Sequence, residues 1–141
     1  MDKWVIYAFL SMFFAGFTSV IAKAGLAGIS GELGLTIRTL FVFGFVLIFA
    51  FLFVPSADLA GVGPRNLIWL GLSGATTALS WIFYYKALKM GDVATVALID
   101  KGSVVVAMLL AWLVLREVIT LHMILGAALI VAGLLVIARK P

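Results

Sequence analysis

Residues 97–105 read ALIDKGSVV, and they set an acid beside a base inside an apolar run that extends from Val93 to Leu115. An ionisable side chain near the centre of a bilayer costs about 2.5–3.5 kcal/mol on insertion scales, and such residues generally face a bundle interior or a wet cavity. Adjacent residues on a helix point about 100° apart, so Asp100 and Lys101 are expected to need separate partners rather than each other. Gly102 follows directly and weakens the helix, an arrangement expected to release backbone carbonyls and amides for an ion or ligand. The chemistry implied is proton coupling or amine recognition at Asp100 and anion recognition at Lys101. A structural reading competes with it, in which the two charges form a network that fixes helix register or Lys101 extends its ammonium to an interface.

Other polar residues in apolar surroundings can join the same cavity. Ser73, Thr77, Ser80 and Tyr84 recur at intervals of four, three and four, which places them on one stripe of a helix. The alternative for such hydroxyls is a bond to their own backbone. Lys23 and Arg38 border the first two apolar runs, and Lys23 also suits a span-end anchor. The candidate cavity for substrate or coupling ion therefore comprises Asp100, Lys101, Lys23, Arg38, Thr77, Ser80, Tyr84 and Ser103. Glu117, beside Arg116 in a short connection, is read as a structural turn residue, and Glu32 and Asp58 are read as solvated loop acids. His122 has no carboxylate or histidine nearby in sequence, so no metal site is expected. Nucleophile motifs, phosphate loops and metal-ligand spacings are absent from the sequence, and with no cysteine there is no thiolate chemistry. Neither a cofactor nor an enzymatic activity is expected.

The elements that must hold these residues follow from composition. Of 141 residues, 65% are hydrophobic and 11% charged, far from the balance of a soluble domain. A bilayer is the expected partner. Its core is crossed by roughly 20 apolar residues in a helix, and every backbone polar group there must bond within its own segment or a closed barrel. The long runs lack strict alternation, so the fold class is all-α: a polytopic membrane protein of five transmembrane helices, over 4–22, 37–54, 67–85, 93–115 and 118–138. Connections are short, which implies a single domain over 1–141. The first run is longer than a signal-peptide core of about 7–15 residues and is read as a span. Gly71 and Gly74 in the third run, and Gly126 and Gly133 in the fifth, mark faces where helices can approach closely.

Five spans put the termini on opposite sides and divide the basic residues into two groups. Lys3, Arg65 and Arg116 oppose Lys23, Arg38, Lys86, Lys89, Arg139 and Lys140. This favours an outer N-terminus and an inner C-terminus. Lys23, Arg38 and Lys86 abut or enter the apolar runs, however, and without them the two sides are equal. The chain is then free to insert both ways. Basic residues at span ends meet lipid headgroups, so the net charge of +4 does not imply nucleic acid.

The stretch WLGLSGATTALSWIFYYKALKMGDVATVALIDKGSVVVAMLLAWLVLREVITLHMILGAALIVAGLLVIA resembles the second half of an EamA-type repeat of the drug/metabolite transporter superfamily. Tyr85, Ala87, Leu88 and Gly91 carry the resemblance, with Glu117, Gly126 and Gly133 after them. Trp4, Lys23 and Arg38 agree with the start of such a repeat. The common form of the superfamily has two inverted five-span repeats around a central cavity, whereas this chain has one and looks like the short five-span prokaryotic branch. IDKGSVV stands where longer relatives often have a proline-containing stretch.

The resemblance implies a secondary transporter of a small organic solute in a prokaryotic cell membrane, working by alternating access. Two oppositely inserted copies would form an antiparallel homodimer that recreates the inverted repeat. Spans one to four would build the cavity, and the surplus of bases over the single membrane acid favours an anionic or zwitterionic solute. The competing class is a non-transporting membrane assembly protein.

Overall fold

The computed structural model describes residues 2–138, so Arg139 and Lys140, counted above, lie outside the described residues. All regular structure among the described residues is helical. Helix α1 covers Lys3–Gly25, α2 Gly31–Phe53 and α3 Pro64–Met90. The fourth apolar run contains α4 over Val93–Asp100 and α5 over Ser103–Leu110, continued by a π-helical segment, Ala111–Leu115. Helix α6 covers Leu121–Ala138.

Capping chemistry sets the boundaries. The Ser30 hydroxyl accepts from the Leu33 amide at 3.2 Å, and Glu32 complements the positive end of the dipole in the first turn of α2. Helix α2 thus begins at Gly31 rather than 37, and Glu32 is a helical residue, not a loop acid. Pro64 opens α3, where its missing N–H is no loss. The helix continues past 85 because Lys86–Met90 keep the pattern that buries Tyr85 and Leu88 on one face. Asp92 caps α4 through the Thr95 amide at 2.9 Å. The Thr120 hydroxyl faces the Met123 amide at 3.4 Å, and α6 starts at Leu121 instead of 118. Before it, Arg116 adopts a left-handed conformation (φ 56°), and the Glu117 amide bonds the Ala111 carbonyl at 3.2 Å.

Four stretches among the described residues are long and apolar enough to cross a membrane: Lys3–Gly25, Gly31–Phe53, Pro64–Met90 and Val93–Leu115. The apolar part of α6, Leu121–Ile137, is shorter.

The chain divides into two compact units: Val20–Met90, and Met1–Ser19 together with Gly91–Pro141. In Val20–Met90, α2 and α3 run antiparallel. Gly31 lies against Tyr85, and farther along α2 Arg38 lies against Trp81. Leu26, Tyr85 and Leu88 are buried and form the small core of this unit. Its close approach is at Gly31, where a methyl group would stand 2.9 Å from the Tyr85 carbonyl oxygen and 3.1 Å from its carbon. Backbone atoms cannot step aside as a flexible side chain does. Gly31→Ala is therefore expected to destabilise the protein by about 1–3 kcal/mol, read from thermal unfolding in detergent.

In the other unit, Gly102 approaches α6, and a methyl group there would meet Leu134 Cδ1 at 2.9 Å and the Ile99 carbonyl oxygen at 3.1 Å. The glycines singled out from spacing behave differently. A methyl group at Gly71, Gly74, Gly126 or Gly133 meets no atom within 4 Å among the described residues. Gly71→Ala should accordingly leave the unfolding temperature unchanged or raise stability by up to about 1 kcal/mol through helix propensity.

Candidate functional site

Lys23, Arg38, Thr77, Ser80 and Tyr84 belong to the unit Val20–Met90, while Asp100, Lys101 and Ser103 belong to the other. Each group has its own geometry.

In Val20–Met90, the last-turn lysines of α1 and α3 reach reciprocal carbonyls. Lys23 Nζ donates to the Leu88 carbonyl, and Lys89 Nζ donates to the Leu26 carbonyl at 2.9 Å. Helix ends leave such carbonyls without intrahelical partners, and an ammonium there also complements the dipole. Lys23 thus serves the joint between α1 and α3. One turn along α3, Lys86 Nζ stands 3.4 Å from Glu32 Oε1, both side chains being at least half exposed.

Arg38 is half-buried, and its guanidinium lies over Trp81 at 4.2 Å from the ring centroid and 5.9 Å from that of Tyr85. This is cation–π geometry, best served by the weakly hydrated plane of arginine. Its Nη1 atom is buried and has no hydrogen-bond acceptor among the described residues.

Trp81 also lines a groove of about 730 Å³ between α2 and α3. Helix α2 contributes Glu32, Thr36 and Thr39, and α3 contributes Ser73, Thr77 and Trp81. Leu35, Leu70, Ala78 and Ile82 supply the apolar floor. This volume falls within the range of small-molecule sites, which are mostly apolar with a few placed polar groups. Gly74 opens the groove by lacking a side chain. Of the expected stripe, Ser73 and Thr77 face the groove; Ser80 is exposed outside its lining, and Tyr84 packs edge-on to Tyr85 with ring centroids 6.3 Å apart. The hydroxyls also bond their own helices: Thr36 to the Glu32 carbonyl at 2.9 Å, Thr39 to that of Leu35 and Thr77 to that of Ser73, both at 2.8 Å.

Glu32, Lys86 and Trp81 were not among the expected cavity residues. For Trp81 the available signal is its spacing, four residues from both Thr77 and Tyr85 and away from the helix ends where anchoring tryptophans collect.

In the other unit, Asp100 closes α4 and Lys101 leads into Gly102. The turn tightens rather than opening. Lys101 and Gly102 keep right-handed helical dihedrals, and the amides of Lys101, Gly102, Val104 and Val105 each bond the carbonyl three residues earlier. The expected release of backbone groups does not occur, because i→i−3 bonds replace the i→i−4 ladder. Lys101 Nζ is 4.0 Å from Asp100 Oδ2, so the neighbours form a loose ion pair after all. The long, flexible stem of Lys101 overcomes the divergence of the two Cβ directions. Both remain substantially exposed, and Ser103 opens α5 beside them. Glu117 lies in the turn before α6 and lines a separate surface hollow with Trp112 and Arg116. No group of three or more potential metal ligands occurs among the described residues.

A sequence profile of the EamA-like transporter family matches residues 2–139. The chain is 37% identical to a Sinorhizobium protein named "Uncharacterized transporter in cobO 3′ region", over 97% of each chain. No solved structure gives a significant match.

Proposed function

Because the chain belongs to the EamA-like transporter family, we propose that it is a secondary transporter that moves a small organic solute by alternating access as an antiparallel homodimer in a prokaryotic cytoplasmic membrane. Family membership and the apolar helices support a multi-pass membrane transporter. The observation that carries the finer reading is the depth of two charges. Arg38 and Asp100 each lie seven residues from the start of their spans, Gly31 and Val93, which is about 10 Å into each at 1.5 Å per residue. Ionisable groups at such depth are retained for transport or relay chemistry rather than for packing alone. The α2–α3 groove receives the solute, and Asp100 couples its movement to a proton.

Helix α6 acts as the fifth span. Its 18 residues rise about 27 Å, a mismatch with the roughly 30 Å core that local bilayer thinning absorbs. An odd number of spans leaves one repeat per chain, and a second copy inserted the other way supplies its inverted counterpart. The contacts of the basic residues support this. Lys23, Arg38 and Lys86 each engage a group of the protein, so they weigh little in the charge count that sets orientation. Topology reporters fused to the C-terminus are expected to be active on both sides of the membrane; activity on one side alone eliminates the antiparallel dimer. Transport itself is tested by thermal-shift screening for stabilising solutes, followed by counterflow in proteoliposomes. If no stabilising solute produces flux, the transporter reading fails.

The second reading, an assembly protein whose charges fix helix register, draws on the Asp100–Lys101 contact at 4.0 Å.

A further inference from the structure

Counting charges favours an anionic solute, yet the basic side chains around the α2–α3 groove already have internal partners. Lys23 and Lys89 hold carbonyls, Lys86 faces Glu32, and Arg38 lies on Trp81. None of these four lines the groove. Most of the polar groups that do line it are acceptors, the Ser73 hydroxyl and the Trp81 indole N–H being its donors. Thr36, Thr39 and Thr77 each direct their one hydroxyl hydrogen at a carbonyl of their own helix, which leaves only oxygen lone pairs for a guest. Glu32 adds a carboxylate, and Trp81 an aromatic wall. A carboxylate solute entering here meets three committed hydroxyls and a like charge. An ammonium meets their complement.

We propose that the α2–α3 groove is a site for a primary-amine solute with an apolar body, its ammonium held by Glu32 and the Thr36 oxygen one turn along α2 and its body laid along Trp81 and the apolar floor. The inference rests on the transporter reading for its role in transport, but not for the binding itself. Lys86 is the built-in competitor. At 3.4 Å its contact with Glu32 is longer than the 2.7–2.9 Å of a strong charge-assisted bond, so an incoming ammonium can share or take the carboxylate.

The test is calorimetric titration of the full chain in phosphatidylcholine nanodiscs, with empty discs subtracted, using phenethylammonium, 3-phenylpropionate and 2-phenylethanol. Phenethylammonium should bind about tenfold more tightly than 3-phenylpropionate, a preference equivalent to about 1.4 kcal/mol. Glu32→Gln should erase that preference while leaving 2-phenylethanol unaffected, and Lys86→Met should widen it severalfold. Gly74→Leu, at a position with open space around it, should fill the groove and weaken all three probes. Equal or reversed preference in the parent protein overturns the proposal. So does an ammonium preference that survives Glu32→Gln, or probe binding undiminished by Gly74→Leu, in folded protein. Counterflow separates the two readings: binding with the stated preference but no flux of any stabilising solute defeats the transporter reading and leaves the site standing, whereas flux of a solute without that preference defeats the site alone.

Discussion

Asp100→Asn is expected to reduce the proposed proton-coupled uptake into proteoliposomes by about a hundredfold, equivalent to about 2.7 kcal/mol, while the protein stays folded and keeps its assembly state. The substitution keeps the shape of the side chain and removes only its capacity to carry a proton and a charge. Its structural consequence should be small. The ion pair with Lys101 is 4.0 Å long, and the Asp100 side chain is 41% exposed. Pairs of that kind contribute about 0–1 kcal/mol. The turn that holds it is closed by backbone bonds from Lys101, Gly102, Val104 and Val105, which the substitution leaves alone. Loss of uptake with intact assembly, read by size-exclusion chromatography beside the flux assay, supports coupling at Asp100. Loss of assembly together with uptake assigns the residue to helix register instead, and Lys101→Met should then produce the same loss.

The opposing outcomes matter because the two units were legible in the sequence to different degrees. Apolar runs longer than a bilayer core leave the backbone no alternative to helix, so α1 to α3 and the run Val93–Leu115 follow from composition alone. Their ends were less legible. Ser30 and Thr120 act as caps through single side-chain bonds, and Glu32 reads as a loop acid until Ser30 is recognised as the start of a helix. The break at Gly102 was visible, but its form was not: glycine permits opening or tightening, and the close approach of Leu134 is set by a residue distant in the chain.

The groove was half legible for a similar reason. The spacing of Ser73 and Thr77 places them together on α3, whereas the partner face of α2 depends on how far the two helices slide past one another. That register is fixed where Gly31 meets the Tyr85 backbone, a contact between backbones that no side-chain pattern announces. Small-residue spacing pointed instead to Gly71, Gly126 and Gly133, whose surroundings are open among the described residues. The basic residues misled in the same way. Their number suggests a surplus facing a solute, but carbonyl ends at Leu26 and Leu88 draw two of the lysines through contacts that only the folded chain brings about.

Arg38→Met is expected to make the protein more stable and a poorer transporter at once. The guanidinium has a buried Nη1 without an acceptor, and an unmet donor of this sort costs about 1–3 kcal/mol. Its stacking on Trp81 returns about 0.5–2 kcal/mol. Methionine fills similar space with no donor to satisfy, so the balance favours the variant by about 1 kcal/mol, read as a higher unfolding temperature in detergent. Transport should fall about tenfold, equivalent to about 1.4 kcal/mol, because Trp81 loses the stacked guanidinium plane that holds its ring against the groove. Arg38→Lys should recover neither property, since an ammonium keeps the charge without the plane that stacks on the ring. A purely structural arginine gives the reverse pattern: Arg38→Met then unfolds at lower temperature, and flux per folded molecule stays at the parent level. The two outcomes differ in sign, so unfolding and counterflow measured on one preparation decide between them.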